Sequence, residues 1–214
     1  MTDLVIVESP TKARTLTKIL GNNTKVLSTK GHIMELSKDY PTREQRGEGW
    51  PINGVDQDFN PDWKPVYGSV RIINEIKREA KKADQIYLAS DPDREGEGIS
   101  YHVLQILLES GIPEEKIKRS TFHEVTETAV KKSMEDATKV NIPMVEAFIA
   151  RRVLDRLVGF IVSKKLNSFL RLSRLSAGRV QSPTLSLVTD REDEINAFIP
   201  EEFWNINAAF SLNS

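Results

Sequence analysis

Three acidic side chains at every second position follow a short apolar segment near the middle of the chain. Asp91, Asp93 and Glu95 lie in the run Leu88–Gly98, which reads LASDPDREGEG. Carboxylates this close repel one another unless a cation lies between them. If the chain stays extended, alternate side chains point to one side and offer the hard oxygen ligands that Mg²⁺ prefers. The run predicts a magnesium site for phosphate chemistry, with a solvated acidic loop as the alternative.

A further acidic residue, Glu8, ends the apolar segment Leu4–Val7 and precedes Ser9 and a proline, which are typical of a helix start. Exposed N–H groups at a helix N-terminus favour anions. Glu8 therefore either caps the helix or, if the two strands are neighbours, joins the acidic run at the carboxyl edge of a sheet. Lys12, in the first turn, would reach a phosphate at the same place, or is a solvated surface lysine.

Apolar segments alternate with amphipathic ones over the first two-thirds of the chain. They predict strands at 4–7, 25–28 and 85–89, and helices at 10–20, 70–82 and 98–109. This alternation is typical of an α/β fold with a mainly parallel sheet flanked by helices. The stretch 39–69 is rich in Pro, Gly, Asp and Trp and has no period, so it is either a functional loop or a small insertion.

Composition excludes several classes of protein. The 214 residues include no cysteine, which excludes a disulfide scaffold and a cysteine-ligated zinc site within this chain. No apolar run reaches the length of a membrane span and the first residues lack signal-peptide features, so we expect a cytoplasmic protein without membrane contact. The net charge is −1, yet residues 151–182 hold eight Lys or Arg against one acid, Asp155. This local excess indicates a phosphate-backbone partner.

The basic part of the chain carries a helical apolar repeat. Apolar residues recur at steps of four over 145–161, which predicts a helix over 143–166. The charged residues off the apolar stripe include Arg151, Arg152 and Asp155. Arg151 and Asp155 form either an exposed i,i+4 ion pair or a DNA-facing patch in which arginine binds a phosphate or base edge. Phe160 either packs in the core or stacks on a base.

A serine–proline pair at residue 182 repeats the helix-start signature, so a helix is predicted from Ser182 towards Asn196. The segment Gly178–Gln181 would then offer backbone N–H groups and two polar side chains to consecutive phosphates, with glycine allowing close approach. The alternative is a plain turn between helices. His32 is either structural or a DNA contact near the acidic site.

Several motifs, in order along the chain, resemble those of one family. Val7–Ala13 (VESPTKA) and Ser90–Glu97 (SDPDREGE) resemble the TOPRIM domain of type IA DNA topoisomerases, and most of all the bacterial topoisomerase I branch. The other matching segments are Gly31–Leu36, Phe122–Thr126, Ala150–Phe160 and Leu175–Ser182. TOPRIM domains also occur in primases, nucleases and recombination proteins, and the segment ending at Ser182 separates the topoisomerases from these.

The resemblance implies a TOPRIM (Rossmann-like) sheet followed by the start of a mostly helical DNA-binding domain. The implied Mg²⁺ ligands are Glu8, Asp91, Asp93 and Glu95. The implied catalytic residues, which orient or stabilise the reacting phosphodiester, are Glu8, Lys12 and Arg94. The residues implied to bind single-stranded DNA are His32, Arg151, Arg152, Asp155, Phe160, Asn167, Ser176, Ala177, Gly178, Arg179, Val180, Gln181 and Ser182.

The implied activity is ATP-independent relaxation of negatively supercoiled DNA by a monomer, through cleavage of one strand, strand passage and religation. No tyrosine here stands in the family's nucleophile motif. We therefore expect an N-terminal fragment without cleavage activity of its own. Its expected parts are a TOPRIM domain at 1–138 and the first part of the DNA-binding domain at 139–214, where residues 204–212 predict a strand. The alternatives are a stand-alone Mg²⁺ and single-stranded DNA binding module, or another TOPRIM enzyme such as a nuclease or primase.

Overall fold

The computed structural model describes residues 2–39 and 52–211. Its main sheet contains four parallel strands in the order β2-β1-β5-β6. Two further strands, β3 and β4, pair antiparallel as a separate sheet. The strands are β1 (Asp3–Val7), β2 (Thr24–Ser28), β3 (Met34–Leu36), β4 (Trp63–Pro65), β5 (Gln85–Leu88) and β6 (Ile117–Arg119).

Helices connect the strands and follow them. They are α1 (Pro10–Leu20), α2 (Val70–Ala80), α3 (Arg94–Glu109), α4 (Glu127–Glu135), α5 (Ile142–Leu170) and α6 (Gln181–Ala197). A short 3₁₀ turn, Glu114–Lys116, precedes β6. Over the part of the chain that the structure describes, no helix combines the length and the apolar character needed to cross a membrane.

Strand β1 is apolar throughout because both of its faces are covered. Leu4 and Ile6 belong to the apolar cluster that also contains buried residues of α2 and α3. Val5 and Val7 belong to the opposite cluster, with Leu16 of α1. Side chains alternate between the faces of a strand, and a parallel strand with helices on both faces needs apolar residues at every position. The expected α/β fold with a mainly parallel sheet is confirmed.

Most predicted elements are present within one or two residues of the expected bounds. Helix α1 begins as expected, since Ser9 Oγ accepts the Lys12 N–H at 3.2 Å, and it ends before Gly21, whose φ of 71° lies in the left-handed region. Helix α3 is an exception, because it begins at Arg94 instead of Gly98. Short elements gave no sequence signal, namely β3, β4, β6 and α4.

The described part of the stretch 39–69 is packed, whereas residues 40–51 lie outside the described residues. Ile52 and Val55 are buried together with Leu36 of β3 and Val153 of α5, and Trp63 of β4 packs against this cluster. Residues 52–69 therefore behave as a small insertion with its own strand and apolar core.

The chain divides into two compact units, residues 1–160 and 161–214, and the boundary falls within α5. The predicted helix at 143–166 is confirmed, with Val145 and Val153 of its apolar stripe buried and Ile161 exposed. In the second unit no strand forms over 198–211, so the strand predicted at 204–212 is wrong for its described part. An apolar segment needs a neighbouring strand to pair its backbone groups.

The packing of α3 against α5 leaves no room for a side chain at Gly98. An added Cβ would lie 2.5 Å from Cδ1 of Phe148, which is fully buried. We predict that Gly98→Ala lowers the free energy of unfolding by about 1–3 kcal/mol, because overpacking outweighs the better helix propensity of alanine. Urea denaturation measures this change.

The matched control is Glu109→Ala, at an exposed position of the same helix. It should change the free energy of unfolding by less than about 0.5 kcal/mol. A Gly98→Ala variant as stable as the parent protein would contradict the close packing.

Candidate active site

The site lies at the carboxyl ends of β1 and β5, which are neighbours in the sheet. Glu8 follows β1 and Asp91 lies just beyond β5. The Lys12 ammonium contacts Glu8 Oε1 and also lies 2.5 Å from Asp91 Oδ1. Glu8 is not the helix cap, since Ser9 fills that role. The fold thus joins acidic groups that are far apart in sequence through one lysine.

The Lys12 ammonium and the Asp91 carboxylate each shift the pKa of the other. Burial by itself lowers the pKa of Lys12, but hydrogen bonds to Asp91 and Glu8 outweigh it and raise that pKa above its usual value. The same hydrogen bond from Lys12 lowers the pKa of Asp91, and the charge of Arg119 adds to the effect. Lys12 and Asp91 therefore keep their charged forms over a wider pH range than usual.

The chain does not stay extended as far as Glu95, because a helix begins at Arg94, so the expectation that Asp91, Asp93 and Glu95 point to one side is wrong. Asp93 is the N-cap of α3, and its Oδ1 accepts the Gly96 N–H at 2.7 Å. Glu95 consequently lies in the first helical turn. An added Cβ on Gly96 would lie 2.1 Å from the Asp91 carbonyl oxygen, so only glycine permits this close return of the chain.

Glu95 instead contacts two residues predicted to bind DNA. Its Oε2 lies 3.0 Å from His32 Nε2, and its Oε1 lies 3.5 Å from Nη1 of Arg151. Arg151 also faces Asp155, but at the longer distance of 3.9 Å. The i,i+4 pair is therefore present, and Arg151 additionally reaches the acidic loop, Ser90–Glu97, which runs from just beyond β5 into the first turn of α3.

The next basic residues of α5 also contact other residues of the first unit. Arg152 donates from Nη2 to Glu35 Oε2 at 2.6 Å, and its guanidinium lies 5.8 Å from the ring centroid of Phe148. Arg156 lies 5.5 Å from the ring of Phe160. Phe160 is 40% exposed, which favours an accessible ring over a core position.

A buried arginine that the sequence reasoning did not identify fixes the acidic loop. The Arg119 side chain is 2% exposed and pairs with Glu97 Oε2 at 2.9 Å. Its guanidinium also donates to four carbonyl oxygens, those of Leu88, Ser90, Ser120 and Asp91. Its inward register with Ile117 becomes visible only once the three-residue strand β6 is known from the structure.

Glu97 also connects the loop to α5. Its Oε1 accepts the Asn141 N–H at 2.7 Å, directly before the first residue of that helix. Ser90 supports the same turn, since its hydroxyl donates to the Gly96 carbonyl at 2.6 Å. One carboxylate therefore positions both the acidic loop and the start of the basic helix.

A second buried titratable group, His102, packs behind the site. Its ring contacts Trp63 and Phe148 at centroid distances of 4.5 and 5.8 Å. Neither ring nitrogen has a hydrogen-bond partner. Burial, assisted by the charges of His32 and Arg152, lowers the pKa of His102 to about 4.

In the second unit, hydrogen bonds order the segment Ser176–Ser182. Asn167 donates from Nδ2 to the Ser163 and Leu175 carbonyls, and its Oδ1 accepts the Leu175 N–H. Ser182 is not the N-cap, because α6 begins at Gln181. Its hydroxyl instead accepts the Gly178 N–H at 3.2 Å. Backbone contacts across the turn, which sequence spacing does not show, place Ser182 inside the helix.

The arrangement fits a divalent cation bound by two carboxylates. Glu8 and Asp91 already direct oxygens at one positive charge, and Glu8 Oε2 is buried with no hydrogen-bond partner. Within residues 2–39 and 52–211, no group of three or more His, Cys, Asp or Glu side chains could hold a metal ion. Magnesium needs only one or two carboxylates when water and phosphate complete its shell.

The fold and this acidic edge define a Toprim domain, and the family model of that description matches residues 3–125. Toprim domains bind divalent metal ions. The family model described as DNA topoisomerase matches residues 139–214. Full-length topoisomerase I from Thermotoga maritima is 37% identical, with a TM-score of 0.69 over 92% of this chain and 31% of that chain. The chain belongs to the type IA DNA topoisomerases, where it corresponds to an N-terminal part.

Removing the buried guanidinium should be costly. Arg119→Met would leave the Glu97 carboxylate buried and unpaired, and we predict a loss of about 3–5 kcal/mol in the free energy of unfolding. Urea denaturation measures this loss. Arg119→Lys keeps the positive charge but loses the planar guanidinium, so its stability should lie between those of the parent protein and Arg119→Met. Lys118→Met, on the same strand, should change stability little. A near-neutral Arg119→Met would contradict the proposed support of the loop.

The protonation of His102 should make stability depend on pH. Its pKa is about 4 when folded and about 6.5 when unfolded, so the unfolded chain binds more protons between these values. The contribution of His102 to stability is fully present above pH 6.5. It is lost as the pH falls towards 4, and the loss reaches about 3 kcal/mol. Urea midpoints across this range should fall in the parent protein, and His102→Phe should remove this contribution. The exposed-site variant His123→Phe should keep it.

Proposed function

We propose that this chain supplies the metal-binding and strand-holding part of a monomeric topoisomerase that relaxes negatively supercoiled DNA. The reaction is Mg²⁺-assisted cleavage of one strand, strand passage and religation. The contact between Arg151 of α5 and Glu95 of the acidic loop carries the proposal. An arginine, which is suited to bind phosphate, lies beside the carboxylates that would hold the metal ion, and this supports the proposal.

In this proposal Glu8 and Asp91 hold the Mg²⁺, with Asp93 and Glu95 nearby. When bound, the ion would supply charge neutralisation at the scissile phosphate, since phosphoryl transfer depends chiefly on positioning and electrostatic stabilisation. Arg94 orients the same phosphate. Its exposed side chain has no ion-pair partner among the residues the structure describes, so it is available to an anion.

The DNA strand is proposed to run along the basic face of α5. Arg151 and Arg152 bind phosphates, and Asp155 orients arginine. His32, which lies between β2 and β3 beside Glu95, contacts the same strand. Phe160 stacks on a base, an arrangement that tolerates any sequence. Each of these side chains belongs to the first unit.

The second unit is proposed to bind the strand through the segment Ser176–Ser182. Backbone N–H groups at the start of α6 and the Arg179 side chain suit consecutive phosphates. The full set of proposed contacts is Ser176, Ala177, Gly178, Arg179, Val180, Gln181 and Ser182. Asn167 uses its amide to hold this segment, so its proposed role is to position it.

The nucleophilic tyrosine is proposed to lie outside this chain. None of its tyrosines matches the family's nucleophile motif. The proposed division is a TOPRIM domain at 1–138 and a DNA-binding domain beginning at 139, in a protein of the cytoplasm. With a labelled single strand, we expect reversible binding and no covalent adduct; an adduct that survives denaturant would contradict this assignment.

Binding of a single-stranded oligonucleotide, followed by fluorescence anisotropy at several salt concentrations, tests the DNA contacts. Arg151→Ala with Arg152→Ala should weaken binding and reduce the log–log salt slope by about 1.4, because each phosphate contact on a single strand contributes about 0.7. A double variant with an unchanged slope would remove these arginines from the interface.

The matched control is Lys131→Ala with Lys132→Ala, an adjacent basic pair on α4. It removes the same net charge and should leave the slope unchanged. A further experiment supplies the complementary tyrosine-containing part and measures relaxation of supercoiled DNA. If the chain binds DNA and metal but no relaxation follows, a stand-alone binding module is favoured instead. Metal-dependent degradation of the oligonucleotide would favour a nuclease.

A further inference from the structure

We propose that Lys12 is an internal counter-ion that a divalent cation displaces, so that metal binding releases the lysine ammonium to the DNA phosphate. The inference rests on the proposed function, because it takes Glu8 and Asp91 as the metal-binding pair. It adds an order of events: the metal ion first replaces the Lys12 ammonium, and the DNA strand binds afterwards.

The position of the ammonium carries this inference. Lys12 Nζ contacts one oxygen of Glu8 and one of Asp91, which is where a cation bridging the two carboxylates would lie. A metal ion and an ammonium group cannot share that position, because their like charges repel strongly at such short range. The lysine must therefore move when the metal ion binds.

Lysine is an incomplete substitute for the metal ion. Glu8 Oε2 is buried and has no hydrogen-bond partner, although the other oxygen of the same carboxylate contacts Lys12. A buried carboxylate oxygen without a partner is costly, and a hydrated divalent cation could satisfy it directly or through a bound water.

The backbone of Lys12 is fixed, whereas its side chain is long enough to carry the ammonium to a new position. Its N–H is held by the Ser9 hydroxyl in the first turn of α1, beside the helix N-terminus that favours phosphate. The four-carbon side chain can redirect its ammonium without moving this turn. The displaced ammonium would thus remain within reach of a phosphate bound at the same edge.

Calorimetric titration of the 214-residue chain with Mg²⁺, and separately Mn²⁺, tests the exchange. Lys12→Met removes the competing charge and should tighten metal binding about tenfold, because the metal no longer displaces a cation. Lys12→Gln should act in the same direction and covers the case in which the methionine variant folds poorly. Unchanged or weaker binding in a folded variant would overturn the proposal.

Lys18→Met is the matched control, since Lys18 lies on the same helix and has no ion-pair partner among the described residues. Its metal affinity should equal that of the parent chain. Asp91→Asn should weaken binding, which assigns the titration to this pair. Saturable binding in the parent without tightening in the Lys12 variants overturns the exchange alone. Absence of binding in every protein overturns the proposed metal site as well.

A second readout follows the released ammonium. Mg²⁺ should increase the affinity of the parent chain for a single-stranded oligonucleotide, and DNA should increase metal affinity by the same factor, as linkage requires. In Lys12→Met this mutual factor should shrink even though metal binds more tightly. A factor as large as that of the parent would show that Lys12 does not pass to the phosphate.

Discussion

The buried pair of Arg119 and Glu97 is the constraint on which the rest of this site depends. A guanidinium and a carboxylate removed from water are tolerated only when hydrogen bonds satisfy them. Here the guanidinium binds the carboxylate and four carbonyl oxygens, including that of Asp91. The backbone at the end of β5 is thereby held in one conformation. The buried Arg119 guanidinium therefore preorganises the acidic loop.

Around this fixed loop, acidic side chains lie next to basic side chains from other elements. Lys12 contacts Glu8 and Asp91, while His32 and Arg151 contact Glu95. These pairs are partly exposed, so each contributes little to stability. Their main effect is to hold side chains of both kinds close together before any ligand binds. The metal ion and the DNA phosphates that we propose would therefore meet partners that are already in position.

Some features of this site could be predicted from the sequence and others could not, for physical reasons. An all-apolar β1 indicates a strand buried on both faces, and parallel pairing brings its end to that of β5, so the meeting of Glu8 with the acidic run was predictable. The conformation after Asp91 was not. Period-two spacing favours an extended chain, but the Asp93 cap and the close approach at Gly96 start a helix. Arg119 was not identified because spacing does not distinguish a buried charge from an exposed one.

Glu97 extends the same constraint from the loop to the basic helix. Its second oxygen receives the Asn141 N–H just before α5, and three turns along that helix Arg151 returns to Glu95 in the loop. The acidic loop is thus connected to α5 at two points, through Glu97 at the start of the helix and through Glu95 at Arg151. Any displacement of the helix start would alter the distance between Arg151 and the carboxylates. One buried carboxylate therefore positions both the acidic loop, which we propose holds the metal ion, and α5, which we propose binds the DNA strand.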